Sequence, residues 1–369
     1  MNLKTHLNEL PDADAVAFRE VVGQLRAAPE REPSAGLAER TLAAVAEARK
    51  GKNARALGVS WRTAIALAAG IVALATFIIY RGGAVASDDG LVWIAACQED
   101  DGTWNPARHG GELSYRPALT ALAALALSRE SAHAERVDRA CDALTALQDA
   151  DGAFGGSGRV RAYNHAIATY ALAALGSQQP RVKTALERAV AFSGTHQSAE
   201  GGWDYELNSE GNAAVTAWQV RALACAAERG VAQADIPLRK GLRWLRGAAR
   251  ADGSVAYHRD SSARSDSLSA LAAHALMTSG KGFPGLSELG QRVVASLSAD
   301  LGTDGGADCY RDYAKVLAFE SAGENGRADA VRGGMRDRRQ AGGSDQWERV
   351  GGTLYTQTFT ALSSKRQDG

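Results

Sequence analysis

The strongest constraint on this chain is a segment that returns. Residues 139–154, RACDALTALQDADGAF, form a helix-like run that ends in a glutamine and an Asp-Gly-x-aromatic turn. The same register is met in DGLVWIAACQEDDGTW from Asp89, in RAVAFSGTHQSAEGGW from Arg188 and in KGLRWLRGAARADGSV from Lys240. Superposed, the copies align Gln98 with Gln148 and Gln197, Gly102 with Gly152, Gly201 and Gly253, and Trp104 with Phe154 and Trp203. A faded fifth copy occupies residues 292–307, with Asp304 and Gly305 in its turn. Successive turn glycines lie roughly 50 residues apart, a period that signals stacked supersecondary units.

Each motif is followed by a second apolar run of helical length, at residues 117–128, 165–175, 213–229, 267–279, 310–322 and 354–363. These runs are rich in Ala and Leu, strong helix formers whose small side chains let helices approach closely. With a degenerate last pair from about residue 325, the pattern predicts twelve helices in six pairs and an all-α fold. The Gln, Trp and Phe positions then read as staples between units.

The motif resembles the QW repeat of squalene cyclases and the related repeats of protein prenyltransferase β subunits, over residues 88–369. That resemblance implies an (α/α)6 toroid. An outer helix carries the motif, its Gln and aromatic residue staple neighbouring units, and an inner helix follows. The toroid is assigned to residues 83–369.

Formal charge balances to zero with Lys and Arg scattered through the repeats, so nothing points to nucleic acid as a partner. The four cysteines, Cys97, Cys141, Cys225 and Cys309, lie far apart, without the close pairs of a zinc knuckle. Three sit in apolar runs and read as buried free thiols. No metal and no cofactor is expected.

Residues 1–60 are polar and Ala-rich, with two amphipathic helices, about 13–26 and 34–49, separated by the Pro-containing APEREPS at 28–34. The stretch 18–46 resembles the Pro-broken leader of bacterial membrane-bound anti-sigma factors. No Cys precedes Cys97, so any such module is a zincless one. The resemblance implies a sigma factor as cytoplasmic partner; the alternative is an unspecialised tail. Residues 63–80 carry no charge and lie between Trp61 and Tyr80, which makes 61–82 a candidate single transmembrane helix. Arg49, Lys50, Lys52, Arg55 and Arg62 precede it, while Arg81 alone follows before Asp88 and Asp89. By the positive-inside rule the N-terminus stays in the cytoplasm and the toroid is exported across an inner membrane.

The two enzyme families set chemical tests. Squalene cyclases of the hopene type protonate an alkene with a D-x-D-D acid, and no D-x-D-D occurs here. Asp100 and Asp101 belong to the first turn instead. The inner runs are mostly Ala and Leu, with Tyr170, Trp218 and Phe319 as the larger exceptions. Prenyltransferases hold zinc with an Asp, a Cys two residues later and a His one repeat further on. Cys309-Tyr310 falls at the matching helix start, but Ala307 stands at the Asp position, with Asp308 displaced by one, and Thr356 at the His position. The Gly-Cys-Gly-Glu-Gln signature of complement-type thioester domains is also missing.

Polar residues remain at the starts of the inner runs. In a toroid those starts converge on one mouth of the central cavity, where helix N-termini favour polar or anionic groups. Tyr163, His165, Asn212, Asp266, Tyr310, Arg311 and Tyr355 are the candidate ligand-binding residues, and none is assigned a catalytic role. Helix capping competes for Asn164, Asn212, Asp266 and Asp312, and a structural role for His165. The expectation is a membrane-anchored, non-catalytic binding or scaffolding protein for an unidentified peptide, glycan or lipid, with inward signalling through residues 1–60. The alternative is an isoprenoid-acting enzyme of the cyclase or prenyltransferase type.

Overall fold

Each motif copy ends an outer helix and hands the chain to an inner one. The computed structural model describes residues 87–364 apart from 157, 177–178, 207–208, 262–264, 281, 299–306 and 341–344. Among the described residues the α-helices are α1 (Ser87–Ala96), α2 (Arg116–Leu127), α3 (Ala134–Ala146), α4 (Val160–Leu175), α5 (Pro180–Thr195), α6 (Ala213–Glu228), α7 (Asp235–Ala248), α8 (Asp266–Ser279), α9 (Leu286–Ser296), α10 (Cys309–Ser321), α11 (Asn325–Gln340) and α12 (Glu348–Ser363). No strand occurs among them, only the isolated bridges Gln148–Phe154, Ala249–Val255 and Ala307–Asp345.

The even-numbered helices form the inner ring. Helix α2 packs on α4, α4 on α6, α6 on α8, α8 on α10, α10 on α12, and α12 back on α2. The odd-numbered helices lie outside, α3 against α2 and α4, α5 against α4 and α6, α7 against α6 and α8. The fold is an all-α toroid.

Position in the ring explains composition. An inner helix is covered on nearly every side, so α2, RPALTALAALAL, is buried along almost its whole length and needs small side chains. Outer helices need one apolar stripe. Thus α7 buries Leu238, Leu242, Trp244 and Leu245 while Arg239, Lys240 and Arg243 face solvent.

The recurring turn locks each hairpin to the next. Gln148 Nε2 donates to Gly152 O of its own turn at 3.0 Å and to Ala185 O of the next outer helix at 2.8 Å. Gln98 makes the same pair to Gly102 O and Arg136 O, and Gln197 to Gly201 O and Pro237 O. The indole N–H groups of Trp104 and Trp203 donate to Ile94 O and Ser193 O, ten residues back in each case. Gly152 has φ +92°, and a Cβ there would lie 2.6 Å from Arg188 O, so only glycine fits this close approach.

All four cysteines are free thiols. The proposed leader and the apolar run at 63–80 lie outside the described residues. No helix among the described residues is long and apolar enough to cross a membrane. The placement of the chain as a single-span inner-membrane protein is corrected accordingly, and no span is assigned.

Candidate functional site

Because the inner helices all start at one end of the ring, their first turns meet there. Tyr163 lies in the first turn of α4, Tyr310 in that of α10, and Tyr355 just past Gly352, whose φ of 66° kinks α12. Two loop residues join them, Tyr205 and Tyr257, each four positions after its turn glycine. Tyr115 arrives from the short 3-10 turn before α2. The hydroxyl of Tyr205 donates to that of Tyr163 at 3.4 Å, with the rings 5.7 Å apart.

Burial, reinforced by the neighbouring phenols of Tyr310 and Tyr205, lifts the Tyr163 hydroxyl well above the ordinary phenol range. Burial also raises Tyr257, aided by its hydrogen bond to Tyr205, and burial raises Tyr355 and Tyr115. These groups therefore stay neutral at physiological pH and can each donate and accept.

Beneath them lies an aromatic floor. Phe359 touches the rings of Tyr310, Tyr313 and Tyr355 at centroid separations of 5.6, 5.2 and 4.7 Å. Trp218 Nε1 donates to the Tyr310 hydroxyl at 3.1 Å and its ring meets Tyr170 edge-on. Arg221, only 4% exposed, lies 4.4 Å from the ring centres of both Tyr170 and Trp218, and its Nη2 donates to the Tyr313 hydroxyl at 3.4 Å. Cation–π contact compensates part of the cost of burying that charge. Every tyrosine among the described residues belongs to this assembly.

The carboxylates around the start of α10 are committed to structure. Asp308 caps α10 through Oδ1, which accepts from Arg311 N–H at 2.9 Å, and its Oδ2 accepts from Gln346 Nε2 at 2.6 Å. Asp345 accepts from the backbone N–H groups of Cys309 and Trp347. Asp312, fully buried, pairs with Arg338 and with Arg311. Burial, with the Asp345 carboxylate beside it, holds the Cys309 thiol well above the usual range.

The structure thus brings Tyr163, Tyr310 and Tyr355 together and sends the other candidates elsewhere. His165 turns outward between Phe154 and Phe192. Its Nε2 meets Ser193 Oγ at 2.8 Å, and Ser193 in turn donates to Gln219 Oε1 at 2.9 Å. Asn212 is the N-cap of α6, its Oδ1 accepting from Val215 N–H at 2.9 Å. Asp266 holds the buried Lys315 ammonium at 2.7 Å. Arg311 Nε lies 3.2 Å from Asp312 Oδ1. Asn164 caps its neighbour rather than its own helix, accepting from Ala118 N–H in α2 at 3.2 Å.

Sequence reading also missed residues. Tyr205 and Tyr257 were findable from their common offset after Gly201 and Gly253, and Arg221 from its charge within the apolar run of α6. The expectation of an aromatic-poor interior is overturned, because aromatic residues from α4, α6, α10 and α12 pool at the centre. Phe319 is not among them and packs under Arg327 of α11 at 4.2 Å.

Two family models match parts of the chain, the squalene-hopene cyclase C-terminal domain at residues 117–263 and the prenyltransferase alpha-alpha toroid domain at residues 32–177. No curated protein sequence matches. Among solved structures the chain is similar to inactive variants of the alpha-1,6-mannanase GH76A of Salegentibacter sp. HEL1_6. The complex with alpha-1,6-mannotriose is 11% identical with a TM-score of 0.55, over 75% of this chain and 96% of that one. The complex with alpha-1,6-mannotetrose is 10% identical with a TM-score of 0.54, over 76% and 98%. In both variants two consecutive aspartates have been replaced. What these likenesses share with the chain is the α/α toroid itself.

Proposed function

We propose that the toroid is a non-catalytic oligosaccharide-binding protein whose ligand enters the tyrosine-lined mouth. The observation that carries this reading is the convergence of half-buried, neutral tyrosines from the first turns and loops. A pyranose has apolar C–H faces that stack on aromatic rings and equatorial hydroxyls that need donors and acceptors at the ring edge. Tyrosine supplies both. An all-hydrocarbon ligand would cover these hydroxyls while offering them no hydrogen bond beyond those they already make within the protein. The structurally similar mannanase is named in complex with mannose oligosaccharides, which supports the same ligand class.

The carboxylates support the reading of binding without turnover. Glycoside hydrolysis ordinarily requires two carboxyl groups flanking the bond, one as acid and one as nucleophile or base. Around this mouth Asp308, Asp345 and Asp312 are held by backbone N–H, Gln346 or arginine groups, Asp266 by Lys315, and Asp204 through its Oδ1 by Tyr205 N–H and Asn212. Titration calorimetry with α-1,6-mannotriose tests the proposal. Wild type should bind, and Tyr163→Ala should weaken binding about tenfold, the value of one aromatic contact of ~1.4 kcal/mol. Absence of heat with mannotriose and with other hexose oligosaccharides would refute it, and release of reducing ends would refute the non-catalytic part.

A further inference from the structure

A concavity of about 460 Å³ lies between α4, α5 and α6, beside the tyrosine cluster. That size falls within the ~300–1,000 Å³ typical of ligand pockets. Its apolar lining includes Ala162, Trp203 and Val215, and its polar lining includes Asp204 and Tyr205 together with Arg161, His196 and Glu206. Tyr205 also belongs to the mouth, since its hydroxyl bonds to Tyr163. On α4 the neighbouring residues Ala162 and Tyr163 diverge, the first lining the concavity and the second the mouth. A ligand leaving the mouth over the Tyr163–Tyr205 pair therefore meets this concavity next.

Asp204 is oriented for hydroxyl groups. Its Oδ1 accepts from Tyr205 N–H at 2.7 Å and from Asn212 Nδ2 at 2.5 Å, which fixes the carboxylate plane. Its Oδ2 lies 3.8 Å from His258 Nδ1, beyond hydrogen-bond range, and the side chain stays 12% exposed. A fixed, partly exposed carboxylate oxygen at the edge of this concavity is an acceptor for the hydroxyls of a sugar ring.

We infer that mouth and concavity are two halves of one cleft, and that the concavity takes the sugar residues that continue the chain past the mouth, with Asp204 accepting their hydroxyls. This rests on the oligosaccharide reading above. The test is titration calorimetry of the full chain with α-1,6-linked mannose oligosaccharides of one to four residues. Wild type should gain affinity with length. Ala162→Trp, which fills the concavity from the half-buried first turn of α4, should abolish that gain while keeping monosaccharide affinity. Asp204→Asn keeps the Oδ1 acceptor and so the local fold, and should lower tetrasaccharide affinity about tenfold with the monosaccharide unchanged. Equal affinity of wild type for all lengths, or an undiminished gain in both variants, would overturn the two-part cleft and leave the mouth standing. Failure of wild type to bind at any length would remove the oligosaccharide reading itself.

Discussion

Trp203 does two jobs from one buried position. It is 3% exposed, and its indole N–H reaches back to Ser193 O at 2.8 Å. Trp203→Ala should cost about 3–5 kcal/mol, read from denaturant melts, because the cavity cannot close against rigid helices. His165 gives a pH signature. Burial, then the positive charges of Arg161 and His196, hold its pKa at about 3 against an ordinary value of about 6.5. Between those values the unfolded chain takes up a proton that the folded chain refuses, so this contribution to stability is full above pH 6.5 and is lost as pH falls. Wild type should therefore lose on the order of 2–3 kcal/mol more than His165→Gln between pH 7 and pH 4. Parallel losses in the two proteins would contradict that assignment.

At the scale of the element, the turn is the unit that repeats. Gly152→Ala forces a side chain into a left-handed backbone and against Arg188 O, and should destabilise by about 2 kcal/mol or more. Gln148→Ala, which loses two hydrogen bonds at about 1 kcal/mol each, should approach the same loss, with thermal melts as the measure. These features were legible in the sequence because each repeat states them again. Gly102, Gly152, Gly201 and Gly253 stand in register, and their φ angles run from 83° to 95°. The site was legible only in part. Helix starts pointed to Tyr163, Tyr310 and Tyr355, but they also pointed to His165 and Asp266, because periodicity does not say which way a first-turn side chain leaves its helix. Tyr205 and Tyr257 come from loops, whose paths follow from packing around a closed ring and not from local preference. The burial of Arg221 has the same origin, since its ring partners come from α4 and α6 and its hydroxyl partner from α10.

On the scale of the whole molecule the decisive contact is the one that joins the sixth hairpin to the first. Glu112 N–H donates to Val350 O at 2.7 Å at the mouth end of the α2–α12 seam. At the other end Arg129 donates to Leu362 O at 2.9 Å and to Ser364 O. Arg129→Ala should speed amide hydrogen exchange in α12 while leaving α4 to α8 protected; uniform acceleration would mean that the seam does not open on its own. Stacked helical repeats that stay open need capping units, and such arrays can fray from their ends. Here α2 covers the face of α12 that would otherwise be bare, so each serves as the other's cap. Excising one internal hairpin would not yield a smaller toroid. It would yield an arc with two uncovered apolar faces, and the number of hairpins is therefore set by the geometry of closure rather than by any one interface.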